Sequence, residues 1–392
     1  AHDVQPRRLV DGVGVKGEER AHKSGGETTQ AERLPERAPS EGGEQEDQKE
    51  GRVVGENRIS GSPENGFAGL AFQWMWPFSL SPRSNVPDVG DPLHLAYIMA
   101  WDAHQLAADP ARLFEANSFY PWPSSLAFAD HLLPEAILAA PFLWATGNPA
   151  LAYNALVFVG LVLSALSMRA LLIEATGSGE AGLLAGLVYA FNGFTLVETT
   201  RVHVIQLQWW PLALLFLGRF NRSASWGAAF GLALSLALQG LSGSYYLVFS
   251  ALVAPLWLGI ALLGRTPRPD LRGLGRLAVA ALVAAVPVVL VLMPYLARGL
   301  PRSRVSRGVD LLAFASPMSQ SPMWSWLLPG DPYGREFRGV LGVLLLAAGI
   351  LALRGMRDGW PRRLGLIALS TAIFGGLLAL GDRVVVGGVD LG

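Results

Sequence analysis

The sequence predicts an all-α fold, a polytopic transmembrane helical bundle with interfacial helices in its first extracytoplasmic loop. Three observations predict it. Hydrophobic residues make up 51% of the 392-residue chain and mean hydropathy is +0.34, a composition characteristic of integral membrane proteins. From residue 132 onward the apolar runs are continuous rather than alternating, which fits spanning helices and not barrel strands. Arginine is the only strong base after residue 65, and it gathers in alternate connectors, as loops on the cytoplasmic side do.

Residues 1–65 differ from the rest. They hold 24 of the 62 charged residues and all three lysines, Lys16, Lys23 and Lys49. Few aromatics and no apolar period mean too little burial to offset ordering entropy, so this tail is expected to be disordered. It has no apolar core behind a basic start and is not a signal peptide. No methionine precedes Met75, and the tail reads as foreign to the membrane domain expected over 66–392. That domain stops soon after an apolar run, which reads as a truncated C-terminus.

The segment 67–80 is apolar but short of the about 20 residues a span needs; Trp74 and Trp76 suit an interface. A first extracytoplasmic loop is expected over 83–149. The apolar stretch 132–146 closes it, and at about 22 Å of helix it is too short to cross. The longer runs are 150–173, 181–197, 204–218, 224–241, 244–264, 277–297, 339–353 and 364–381. The connectors 219–222, 265–276 and 354–363 are arginine-rich and are expected inside. Counting back then puts 198–203 and the 88–131 segment outside, with 132–146 lying along the membrane surface.

Chemistry-bearing residues concentrate in 88–131. Asp91, His94, Tyr97, Trp101 and His104 fall on one face of a helix over 92–107, opposite Leu93, Leu95, Ile98 and Met99. Asp91 before Pro92 also reads as a helix cap, a role compatible with catalysis. His94 and His104 are ten apart, too far for a two-histidine metal pair on one helical turn. Asp109 reads as a cap for a short helix over 110–116. Asn117, Tyr120, Pro121, Trp122 and Pro123 form an aromatic turn suited to interface anchoring or sugar stacking. Asp130 and His131 precede 132–146, where Asp130 reads either as a cap or as a second carboxylate beside Asp91, able to do acid–base or cation-assisted work.

Further along, Glu198, Arg201 and His203 lie between two runs, and Glu198 and Arg201 are spaced to pair with each other. Asn192, Gln206 and Gln208 read as helix–helix hydrogen-bonding groups. Ser242 to Tyr246 read as a structural hairpin. Arg298, Arg302, Arg304 and Arg307 cluster on the outer side, suited to phosphate recognition or to lipid head groups. Zero cysteines exclude disulfides, thiolate catalysis and cysteine zinc sites. Zero net charge implies no nucleic-acid partner.

The stretches GDPLHLAYIMAWDAHQLAADPARLFEANSFYP (90–121), SLAFADHLL (125–133), GNPALAYN (147–154) and LQGLSGSYY (238–246), in this order, resemble the GT-C superfamily of polytopic glycosyltransferases. The likeness covers about residues 70–392. It implies sugar transfer from a polyprenyl-phosphate donor to a lipid or glycan acceptor, outside the cytoplasmic membrane. It also implies that Asp91 is the catalytic aspartate of the first external loop and that Asp130 is the second acidic position, orienting the acceptor or a divalent cation. His94, Tyr97, His131, Glu198, Arg201, His203, Arg302, Arg304 and Arg307 are the accompanying substrate-binding candidates; no metal-ligand set and no further cofactor are expected. The chain departs from the pattern in its short first span, its foreign tail and its missing C-terminal part. The rival readings are a lipid-linked-sugar flippase, which would carry ionisable groups deep in its spans, and a non-catalytic membrane assembly protein.

Overall fold

Asn148 accepts a hydrogen bond from the Leu151 N–H at 2.9 Å and Pro149 fills the first helical position, so α4 (Pro149–Thr176) starts on a complete cap and runs 28 residues to Gly177 at φ 74°. Tyr153, Leu156, Val157 and Leu161 are wholly buried along it. Around it pack α1 (Pro63–Trp74), α2 (Asp91–Ala108), α3 (Leu133–Thr146), α5 (Gly179–Ala190) and α7 (Trp209–Ser223). A second group comprises α8 (Trp226–Leu241), α9 (Ser244–Leu263) and α10 (Leu271–Arg298), and α12 (Trp360–Ala379) joins α9 to α11 (Val340–Gly355). The computed structural model describes residues 62–263, 270–299, 309–315, 340–381, 385–386 and 389–390. Among these, the only strands are a two-residue antiparallel pair, β1 (Val385–Val386) and β2 (Val389–Asp390).

The chain is an all-α, multi-pass membrane protein. Five stretches among the described residues are long and apolar enough to cross a bilayer: Pro149–Thr176, Gly179–Thr200, Ser244–Leu263, Leu271–Arg298 and Trp360–Ala379. The helix ends segregate. At one end Glu174 pairs with Arg219 at 2.6 Å and with Arg222, Arg276 donates to the Ala224 carbonyl at 3.1 Å, and Trp360 abuts Gly218. The described parts of the arginine-rich connectors therefore meet there. The opposite end holds the 75–90 and 109–132 loops, where Asn148 and Asn154 donate to the carbonyls of Arg83, Pro82 and Asn85.

Several expected elements differ. The expected tail falls outside the described residues over 1–61, and Pro63 to Asn65 already form the first turn of α1. The expected 67–80 segment is not one helix. Its helical part, α1, ends at Trp74 because Pro77 disfavours helix just ahead of it, and α1 lies against α4 through Phe67 and a Glu64–Arg169 ion pair. The short helix expected at 132–146 is α3, 14 residues long. The run 181–197 breaks at Phe191, where Asn192 opens α6 (Gly193–Val197) with a capping box.

The largest departure is at 201–208, part of which was expected to begin a helix at 204. It is irregular, and it dips beside Leu156, about 10 Å along α4 from the helix start. An unpaired carbonyl at that depth costs several kcal/mol, and the surrounding helices supply donors. Tyr153 of α4 donates to the Thr199 carbonyl (3.0 Å), Tyr189 of α5 to Leu207 (2.8 Å), Gln239 of α8 to Gln206 (3.4 Å) and Tyr246 of α9 to Val204 (2.6 Å). Gln206 Nε2 donates to the Leu156 carbonyl at 3.0 Å, and Gln208 Nε2 to Gln206 Oε1 at 3.0 Å. Gln206 fits only because position 160 is glycine: a Cβ there would lie 2.4 Å from Gln206 Nε2. Gly160→Ala is therefore expected to lower stability by about 1–3 kcal/mol, measured as a lower melting temperature in detergent.

Candidate functional site

The 198–208 segment, a 3-10 turn over Glu198–Thr200 followed by the irregular 201–208, delivers three polar side chains to the end of the bundle away from the arginine-rich connectors. Arg201 lies 3.6 Å from Asp91 Oδ2 and 3.3 Å from Glu198 Oε2, bridging α2 to its own segment. The side chain of Glu198 is 8% exposed, that of Arg201 39% and that of Asp91 61%. Asp91 occupies the first turn of α2, the N-cap is Gly90, and no side chain caps the helix. The cap reading of Asp91 is thus replaced by an ion pair, because Arg201 comes within reach from another element.

Asp130 likewise does not cap α3, whose N-cap is Leu132. Its Oδ1 accepts the Ser244 backbone N–H at 3.2 Å and the Ser244 hydroxyl. It thus places a carboxylate at the N-terminus of α9, where free N–H groups and the helix dipole favour negative charge. Asp109 makes no side-chain cap either, and only a three-residue 3-10 turn follows it.

The next residue of α9, Tyr245, hydrogen-bonds His203 Nε2 at 2.9 Å with the rings stacked at 5.9 Å. Gly243 makes room for them, since a Cβ there would sit 3.3 Å from His203 Cδ2. Asp130, Arg201, Glu198 and Asp91 all act electrostatically on Tyr245. Burial pushes the His203 imidazole down to about 4 against the pull of Asp130 and Asp91, and Arg201 lowers it further. The ring is neutral at pH 7, leaving Asp91, Asp130 and Glu198 against Arg201, so the cluster is acidic.

Of the expected site residues, the fold brings together Asp91, Asp130, Glu198, Arg201 and His203. It does not bring His94, Tyr97 or His131 there. His94 is on the exposed side of α2. Tyr97 donates to Asn117 Oδ1 at 2.6 Å, and Trp101 donates to the Leu113 carbonyl at 2.8 Å. The polar face of α2 therefore pins the 109–128 loop over most of its length, and only its first turn reaches the cluster. His131 is buried with its ring 5.8 Å from that of Tyr295, and burial holds it down to about 4 against the Asp130 charge. Leu93, expected on the apolar face of α2, is 51% exposed. Arg302, Arg304 and Arg307 lie outside the described residues; Arg298 is committed to the carbonyls of Pro123 and Ser124 and to the Phe128 ring, 3.8 Å from its centroid.

Ser244 and Tyr245, read from sequence as a structural hairpin, belong to the cluster. The signal for them was the small, polar Ser-Gly-Ser turn opening an apolar helix. Gln206 and Gln208 hold the irregular segment in place of joining two helices. Among the described residues, no group of three or more His, Asp or Glu side chains is placed to hold a metal ion.

Fold and cluster together define a multi-pass, all-α membrane protein with an acidic polar site at one end of its bundle. No family model, no curated protein and no solved structure matches the chain.

Proposed function

We propose that the chain is a membrane glycosyltransferase, moving a sugar from a polyprenyl-phosphate donor to a lipid or glycan acceptor on the extracytoplasmic face of the cytoplasmic membrane. The observation that carries this reading is the convergence of Asp91, Asp130, Glu198 and Arg201 around Tyr245, at the end away from the arginine-rich connectors. Those connectors favour the cytoplasmic side, which leaves the cluster outside.

Asp91, whose side chain is exposed, takes the proton of the acceptor hydroxyl as that oxygen attacks the anomeric carbon. The bond from that carbon to the phosphate oxygen breaks, and polyprenyl phosphate leaves with the bonding electrons. Positive charge develops on the sugar ring in such displacements, and the remaining acids of the cluster, Asp130 and Glu198, stabilise it. The leaving phosphate is served by Arg201.

The test uses the purified full chain in lipid vesicles, with a labelled polyprenyl-phosphate sugar and an acceptor. The expected result is acceptor-dependent release of polyprenyl phosphate. Passage of intact lipid-linked sugar across the vesicle without turnover would overturn the reading in favour of a flippase. The described acids of greatest burial, Asp102 and Glu135, lie outside the five candidate spans, which weighs against transport.

A further inference from the structure

Two acids lie outside the cluster and take no part in the proposed transfer. Asp102 of α2 and Glu135 of α3 are both 0% exposed. They are held where α2 packs on α3 and α3 meets α8. None of their carboxyl oxygens has a hydrogen-bond partner of ordinary geometry. Among the described residues neither acid forms an ion pair. An ionised carboxylate in such a place costs several kcal/mol, and proton uptake removes that cost.

Each acid has one polar neighbour, which favours its carboxylate by less than burial disfavours it. Ser242, just past α8, faces Glu135. Its single hydroxyl proton is donated to the Leu238 carbonyl at 3.0 Å. That commitment leaves Ser242 too weak a donor to offset the burial of Glu135. Asp102 faces the backbone of Leu132. Leu132 is two residues from Asp130, and Ser242 is two residues from Ser244.

We propose that Asp102 and Glu135 form a buried proton-binding site whose occupancy seats the two segments, 130–132 and 242–245, that carry Asp130, Ser244 and Tyr245 of the polar cluster. Burial raises Asp102 to about 7 and Glu135 to about 8, the charge of Asp102 adding to the rise in Glu135. Both acids then prefer the proton in the folded chain. Their contribution to stability is fully present below the ordinary carboxyl range, falls as pH rises, and is lost once pH passes about 8. The other titratable groups facing this region are Asp130 and His131 from the loop, Tyr246 from α9 and Tyr295 from α10. The neutral, buried His131 and His203 act with the opposite sign, losing stability as pH falls from 6.5 toward about 4. Above pH 6.5 they are silent and the acids remain.

This proton site stands apart from the transfer reaction and is tested without it. Infrared spectra of the full chain in lipid bilayers are expected to show protonated carboxyl C=O stretches at neutral pH, absent from the D102N/E135Q variant. Between pH 6.5 and roughly pH 9 the melting temperature of the wild-type chain falls by several degrees, and in the variant that fall disappears. Two results would overturn the proposal: no protonated-carboxyl band in the wild-type chain at neutral pH, or an unchanged pH slope in the variant. A carboxylate band that shifts on adding sodium or magnesium ions would overturn it in favour of a cation site. Should the double variant fail to fold, isotope-labelled aspartate and glutamate in the wild-type chain give the same infrared answer.

Discussion

Asp91→Asn is expected to lower acceptor-dependent sugar transfer by about 10²–10⁴-fold, the range for losing a general base, while the folded chain persists. The structure makes this a clean substitution. Asp91 caps no helix, its side chain is 61% exposed, and its 3.6 Å pair with Arg201 is open to solvent. Exposed pairs of this kind contribute at most about 1 kcal/mol, and a carboxylate in the first turn of α2 adds a similar or smaller dipole term. Melting temperature should therefore change little, and a loss of turnover reports on chemistry. A variant that transfers sugar at the wild-type rate would remove Asp91 from the mechanism.

Arg201→Ala has the opposite profile, losing both activity and stability. Its guanidinium is shared by the exposed Asp91 and the buried Glu198, so its removal is expected to cost about 1–3 kcal/mol, between the values for exposed and buried pairs. Turnover should fall by about 10²–10³-fold, as when one fixed donor is lost from a developing anion. Arg201 is also one of the influences that hold His203 down to about 4. Its loss should move the His203 titration upward, visible by nuclear magnetic resonance with labelled histidine. Arg201→Lys should restore stability more than turnover, because an ammonium has no planar fork to hold two carboxylates. An unmoved His203 titration would show that the guanidinium is not where the proposed site requires it.

Much of the membrane domain was legible from sequence, because the signal for a spanning helix is local. An apolar run of sufficient length specifies α4, α9, α10 and α12 without knowledge of their neighbours. The spacing along 91–104 likewise placed Asp91, His94, Tyr97 and Trp101 on one face of α2. What those side chains touch was not legible. Tyr97 and Trp101 serve the adjoining loop, and Asp91 finds a partner 110 positions further along the chain. The buried acids had a readable trace. Asp102 continues the apolar stripe Pro92, Leu95, Ala96 and Met99, and Glu135 interrupts an apolar helix, so each is an acid on the core side of its helix.

The sequence by itself determined an all-α membrane bundle, the short α3, and a polar interval rich in candidate groups. Each follows from hydrophobic periodicity and run length, which depend on nearest neighbours along the chain. Only the tertiary structure decided that 201–208 is not helical. That outcome depends on Tyr189, Gln239 and Tyr246, donors from three different helices, and on the missing side chain at Gly160. Asp130 was equally undecided, since its partner Ser244 is 114 residues away. Burial is dictated by run composition, whereas the satisfaction of buried polar groups depends on which distant donors the packing brings within about 3 Å.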